Sequence, residues 1–170
     1  MTLEEYRLTL NPDSTARSYD ISMVQSVGSE QRKEAFSLSP PSFPPADNIL
    51  LGVSGMQRDL PVRWQLYDDG TDKSNGTAPT SAVTGKDSQG NDLTYTFDGT
   101  VVSLTDQKKY LNHVIHDESF GARWELDHLT GDQFQGNEVF VESIDFAMED
   151  QQSPRWQEAT MRLRVGRGIA

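Results

Sequence analysis

The chain contains no cysteine, no long apolar run and only five lysines among 170 residues. The first absence excludes disulfides and thiolate metal sites, and it leaves the redox compartment unreadable. The second argues against a helical membrane span, and residues 1–10 lack the basic-then-apolar order of a signal peptide. No membrane partner is expected. Apolar residues are scarce too, at 35%, where a globular domain averages about 45–50% with glycine counted. The shortfall lies in the loops, which points to a thin, two-layer core. There is no phosphate-cradling glycine loop, Ser54 lacks the nucleophile-elbow pattern, and no internal repeat occurs. No cofactor is implied. No catalytic residue stands out, because 26 acids permit too many carboxylate pairings to choose one.

What is present is negative charge. The formal net charge is −11, from 26 acids and 15 bases. Such an excess argues against a surface that grips nucleic acid, which needs a basic patch. Aspartate outnumbers glutamate 16 to 10 and arginine outnumbers lysine 10 to 5. Short carboxylates with few lysines resemble the surface chemistry of proteins from salt-loving organisms. There, molar salt shortens the screening length to about 3 Å and relieves self-repulsion. An ordinary acidic protein has the same sign of charge, and composition does not choose between the two.

Hydrophobic periodicity predicts a mainly β chain. Residues 6–10 and 19–24 alternate, with Tyr19, Ile21 and Met23 on one face and a turn at Asn11, Pro12 and Asp13 between the strands. Residues 25–34 read as a polar stretch. Residues 36–45 hold four prolines within six positions, which keeps the backbone extended and bars it from a ladder. Phe36, Leu38 and Phe43 in this arm need a partner to cover them; a plain surface loop is the alternative. Residues 48–53 form a strand, with Gly52 and Gly55 marking a bend or bulge. Residues 60–67 alternate cleanly, and Pro61 suggests a strand start or an edge. Residues 68–92 hold one large apolar side chain and read as a long loop of the functional, mobile or partner-ordered kind. Leu93, Tyr95 and Phe97 alternate toward a hairpin signal at Asp98-Gly99. A helix over residues 106–116 follows. Ser103 and Thr105 are its candidate caps, and Tyr110, Leu111, Val114 and Ile115 form its apolar stripe. Trp124 and Leu126 pattern a strand, and residues 138–148 form another with Phe140, Ile144 and Phe146 in step. Residues 156–165 close the chain, with Ala159, Met161, Leu163 and Val165 on one face. The whole, 1–170, reads as a single domain: a two-layer β-sandwich or small barrel with one flanking helix, an extended arm at about 30–48 and a long loop at about 68–92.

Chemical motifs are few. His113 and His116 are three apart on the helix and could share a metal, but the apolar stripe puts them beside the core face. The plainer reading is two exposed or cap-proximal imidazoles, and no metal site is assigned. Asp68, Asp69 and Asp72 lie near each other as in a calcium loop, but the alternate-oxygen spacing fails and Pro79 stands where the closing glutamate belongs. These three aspartates are instead candidate interface residues. Arg162 and Arg164 on the last strand join them, facing either Glu142 across the sheet or an acidic neighbour chain.

The order of elements resembles the ring-forming tail proteins of long-tailed viruses, the tail-tube and distal-tail group. It is carried by the strand at 60–67, the loop at 68–92, the helix at 106–116 and the strands around Trp124, 140–146 and 159–165. The proline-rich arm adds a subunit-spanning element. The resemblance implies a structural virion protein, not an enzyme, assembled in the host cytoplasm. Its partners would be copies of itself in rings and other tail proteins, with DNA passing through a lumen unbound. With the charge bias, it implies a virus of salt-loving archaea. A receptor- or carbohydrate-binding β-sandwich of the tail tip is the rival reading. For that role only Trp156 is free, because Trp64 and Trp124 sit in the core phase of their strands.

Overall fold

The computed structural model describes residues 4–10, 16–38, 49–87, 89–117, 124–129, 137–147 and 156–166, with side chains from 6–10, 16–31, 58–87, 89–117, 124–129, 138–147 and 156–166. Ten strands are found among them: β1 (Glu4–Leu10), β2 (Arg17–Ser22), β3 (Val24–Val27), β4 (Glu30–Leu38), β5 (Ile49–Tyr67), β6 (Val83–Lys86), β7 (Asp92–Tyr95), β8 (Trp124–His128), β9 (Asn137–Phe146) and β10 (Trp156–Val165). One helix, α1 (Leu104–Lys109), continues as a π-helical segment, Tyr110–His116. Eight strands form one antiparallel sheet in the order β2-β1-β8-β9-β10-β5-β3, with β4 also paired to β5. β6 and β7 form a separate hairpin.

Two consecutive strands, β2 and β3, end up at opposite ends of this sheet with only Met23 between them. The sheet must therefore curl until its ends meet. Met23 makes the corner in the left-handed region, at φ 52°, and its carbonyl accepts from the Gln65 amide at 3.4 Å. No ladder joins β2 to β5, so the sheet stays open, sandwich-like, and is not a barrel. The corner also breaks the expected alternation: Met23 leaves the Tyr19–Ile21 face and is 37% exposed.

The inside of the curl is the core. Leu8, Leu10, Tyr19, Ile21, Leu60, Val62, Trp64, Leu66, Trp124, Leu126, Ala159, Met161 and Leu163 are buried there, with Tyr110, Leu111, Val114 and Ile115 from the helix. Strict alternation on β10 and on residues 60–67 puts their apolar faces inward as the sequence predicts. Strand β9 departs from prediction. A register shift opposite Arg162/Leu163 flips its phase, so Val139 and Val141 are buried while Phe140 is only half-buried. Bulges of this kind leave no trace in a two-residue period.

Pro61 lies within β5, not at a strand start or edge. Its carbonyl accepts from Gly28 at 2.9 Å just past the end of β3, so the side lacking an N–H faces the place where that ladder stops. Gly28 is the residue that fits there: a Cβ would meet the Pro61 ring at 2.8 Å. Residues 25–34, read as a polar stretch, contribute to β3 and β4. The ladder with β5 shifts register between Lys33 and Ala35, opposite the segment between Gly52 and Met56, where the glycines suggested a bulge.

Ser103 caps α1, its hydroxyl accepting from the Asp106 amide at 3.1 Å. A buried polar knot then fixes the helix to the sheet. The Gln107 amide donates to the carbonyls of Tyr67 (3.0 Å) and Val102 (2.7 Å) and accepts from the Tyr19 hydroxyl at 3.2 Å. The Tyr110 hydroxyl donates to the Ser18 carbonyl at 3.0 Å. Burial raises the Tyr19 pKa further above its ordinary value, keeping the phenol a neutral donor. Replacing Gln107 by Ala removes the partner of the buried Tyr19 hydroxyl and of two part-buried carbonyls and is expected to cost roughly 2 kcal/mol. Urea unfolding of Gln107→Ala against the parent chain measures it.

Candidate interaction surface

Residues 68–82 are built from aspartates that hold their own backbone. Asp68 accepts from Gly70 N at 3.3 Å and Asp69 from Thr71 N at 2.9 Å. Asp72 accepts from Ser74 N (3.0 Å), Ser74 Oγ (2.7 Å), Gly76 N (2.9 Å) and Val101 N (2.8 Å). Asn75 and Gly76 take left-handed φ values of 51° and 73° between these contacts. Within the expected long loop at 68–92, residues 68–82 hold their own backbone, and 83–86 pair with 92–95 as a hairpin. Lys73 and Ser74 are fully buried, and the Lys73 ammonium is held by Asp69 at 3.0 Å. Burial pushes the Asp72 pKa up, but the hydrogen bonds from Ser74, Val101 and Gly76 outweigh it and hold the carboxyl below its ordinary value. At Asp69, burial is likewise outweighed by the Thr71 amide and by Lys73.

The loop also seals an edge. Strand β2 ends the sheet, and an open edge is a template for another chain. Here the Asp20 amide donates to the Lys73 carbonyl at 2.7 Å and the Ser18 amide to Thr77 Oγ1 at 2.7 Å. Ser18, Asp20 and Ser22 are buried as a result. The Asp20 carboxylate faces Arg7 in a two-pronged pair at 2.5 and 2.9 Å.

Among the described residues, the outer face of the sheet carries several ion pairs within the chain. Arg63 pairs with Glu158. Arg164 reaches the buried Asp59 at 3.2 Å and Glu142 at 2.9 Å. Arg162 approaches Glu30 at 3.9 Å. Exposed pairs of this kind contribute about 0–1 kcal/mol each.

At the other end of the sheet, β5 runs on past β10. Among the described residues, 49–58 have only β4 as a ladder partner. Strands β4 and β5 thus continue as a two-stranded ribbon, at about 3.3 Å per residue some 30 Å long. Phe36 pairs across it with Leu51 and Leu38 with Ile49. Phe43 lies outside the described residues. The candidate residues therefore fall in three places: Phe36 and Leu38 on the ribbon, Asp68, Asp69 and Asp72 in the sealing loop, and Arg162 and Arg164 on the outer face. Lys73, Asp20 and Asp59 escaped sequence reading because their burial depends on strands and loops that pack against them from elsewhere in the chain.

His113 and His116 lie in the last turn of the helical segment, next to its C-cap Asp117, so the cap-proximal option holds. Both are half-buried rather than exposed, and Tyr95 of the β6–β7 hairpin stacks on His113. Among the described residues no group of three or more His, Cys, Asp or Glu side chains is gathered as a metal site, and no helix is long and apolar enough to cross a membrane. Trp64 and Trp124 are buried, whereas Trp156 is 37% exposed, opposite Tyr67.

No protein-family model and no curated protein matches the sequence. Among solved structures, the chain is similar to one in the virion of a native gene transfer agent particle, at 10% identity and a TM-score of 0.40, covering 95% of this chain and 91% of that one. A chain in the tail of an empty gene transfer agent particle matches at 11% identity and 0.40, covering 96% and 92%. A chain in the anti-feeding prophage baseplate matches at 11% and 0.36, covering 98% and 91%. At these scores the matches do not establish a shared fold.

The geometry of the sealing loop gives a prediction. Asp72→Ala removes the acceptor of three backbone amides and is expected to cost about 1–3 kcal/mol. The depressed Asp72 pKa means its contribution is complete above the ordinary value of 3.8 and is lost as pH falls through the lower folded value. Acid unfolding of Asp72→Asn is therefore expected to show a smaller loss of stability in that window than the parent chain.

Proposed function

We propose that this chain is a structural subunit of a viral tail, assembling with copies of itself into rings at the tube or tip. The observation that carries this reading is the two-stranded ribbon of β4 and residues 49–58. It extends beyond the sheet, and its cross-strand pairs Phe36–Leu51 and Leu38–Ile49 are apolar. A lone two-stranded ribbon is marginal in water, so a neighbouring copy that covers this one would stabilise both. With the β2 edge covered by its loop, the outer side of the ribbon still has ladder groups to offer. The net charge of −11 suits a conduit wall for DNA, because lysines and arginines would release counterions and pin the duplex. In this reading Asp68 and Asp69 face a neighbour or the lumen, Asp72 holds their loop in shape, and Arg162 and Arg164 can exchange their intrachain acids for a neighbour's. A virus of a salt-loving host fits the aspartate-rich surface.

A second reading has one observation behind it. Trp156 is exposed across from Tyr67, a pair of rings that a sugar or receptor loop could stack on, as in a binding module of the tail tip. A glycan array separates the two: specific, Trp156-dependent retention supports the module.

The main reading is tested by electron microscopy and sedimentation of the full chain at low and molar salt. Rings or short tubes are expected, and Phe36→Asp with Leu38→Asp is expected to leave folded monomers that melt below the assembled parent. A parent chain that stays monomeric in every condition, or variants that assemble as before, would overturn it. The conduit idea predicts in addition that assembled protein does not retard duplex DNA even at about 50 mM salt, where phosphate contacts are strong. Tight binding there contradicts it.

A further inference from the structure

The β6–β7 hairpin is the one sheet among the described residues that is separate from the curl. Its ladder has four residue pairs, from Val83↔Tyr95 to Lys86↔Asp92, too few to stand alone in water. It is held where it meets the π-helical segment, and there both strands close on one side chain. On β6, Gly85 lies flat against the His113 ring. A Cβ at that position would come within 3.0 Å of the ring Cγ and 3.2 Å of Cε1, and closer still to Nδ1. On β7, Tyr95 stacks on the same imidazole, with centroids 4.1 Å apart and planes at 20°.

The imidazole in this clasp is poorly placed to carry charge. Its side chain is 16% exposed, and Nδ1 is buried without a hydrogen-bond partner. The nearest acid, Asp117, stands off at 3.7 Å. Lys109 is a like charge on the same helix, with its ammonium 5.6 Å from the Tyr95 ring. The hairpin brings Lys86 and Asp92, which pair with each other at 2.6 Å. Strand β9, which also lies against the π-helical segment, brings Glu138, Glu142 and Asp145, of which Glu142 holds Arg164. Burial lowers the His113 pKa; Asp117 opposes that and Lys109 adds to it, and the sum stays below the ordinary value of 6.5.

We propose that the β6–β7 hairpin is a pH-released clasp: it docks on neutral His113 and lets go of the helix when that imidazole takes up a proton. Protonation adds a donor and a charge in a place with little water to receive them. A folded value below the free one makes docking complete above 6.5 and weaker as pH falls through the docked value. Asp69 and Asp72 are held below their ordinary value of 3.8, so they stay ionised at about pH 5 and above. The inference goes beyond the tail reading and does not depend on assembly.

The test is amide hydrogen exchange of the full chain between about pH 7.5 and 5, with rates divided by the intrinsic rate at each pH. Protection over 83–86 and 92–95 is expected to fall by at least about twofold, while protection in β10 holds. His113→Phe, which keeps a flat ring and removes the titration, is expected to make the hairpin's protection independent of pH. The His113 imidazole, followed by NMR, is expected to titrate below 6.5, in step with the loss. Unchanged protection in the parent chain, an equal fall in His113→Phe, or titration at or above 6.5 overturns the proposal. If His113→Phe leaves the hairpin unprotected at every pH, the parent imidazole decides alone. Titration in step with the loss supports the clasp, and titration out of step rejects it.

Discussion

The curl of the sheet is the constraint from which the rest follows. Strands β2 and β3 are separated by one residue and yet terminate opposite ends of an eight-stranded sheet. No flat arrangement satisfies that connection. Once the ends meet at Met23, the inward phases of β1, β2, β5, β8, β9 and β10 face a common interior. One helix closes that interior, and Gln107 fixes its position by satisfying two carbonyls and a phenol at once. A thin core is enough for this shape. Large rings such as Trp64 and Trp124 fill it beside aliphatic side chains such as Leu60 and Leu126, whose burial contributes about 1.5–3 kcal/mol each.

The abundant aspartates serve geometry before they serve surface charge. Asp68, Asp69, Asp72, Asp87 and Asp98 each accept from amides two residues on or further along the chain. A short carboxylate reaches its own backbone where glutamate cannot do so as easily. At Asp87, the Asn91 side chain and amide hold the carboxyl below its ordinary pKa. At Asp98, the Thr100 hydroxyl and amide do the same. Such loops keep negative charge exposed without leaving backbone donors idle. Charges that are buried have partners: Asp20 with Arg7, Asp59 with Arg164, and Lys73 with Asp69. An unpaired charge in those places would be strongly destabilising.

Elements set by local pattern were legible in the sequence, and those set by distant partners were not. The alternation of residues 156–165 and 60–67, the cap at Ser103 and the apolar stripe from Tyr110 to Ile115 all follow from periods of two and of about 3.6. Strand β4 was hidden because Glu30 to Glu34 carry no alternation, and its ladder is supplied by β5. The phase of Phe140 was misread because a bulge shifts it. Met23 was misread because nothing in its side chain announces a left-handed backbone. Nothing in the local pattern marks Lys73 as buried, since its burial depends on the strand it covers. The acidic loop was visible as turn-forming residues, although its role in sealing β2 was not. Of the candidate interface, the Arg164–Glu142 pair was foreseen as one option, whereas its second partner, Asp59, was not.

The ribbon remains the feature that the fold of one copy does not account for. On the proposed reading, the two-stranded ribbon of β4 and residues 49–58 is where a second copy would pair. The lack of cysteine makes a direct measurement available. A single Ser37→Cys on the ribbon, carrying a photo-crosslinker, can be mixed as light and isotope-heavy copies and read by mass spectrometry. Cross-links from residue 37 that join light to heavy chains are predicted. Cross-links found only within single chains, in a sample dense enough to assemble, would contradict the account.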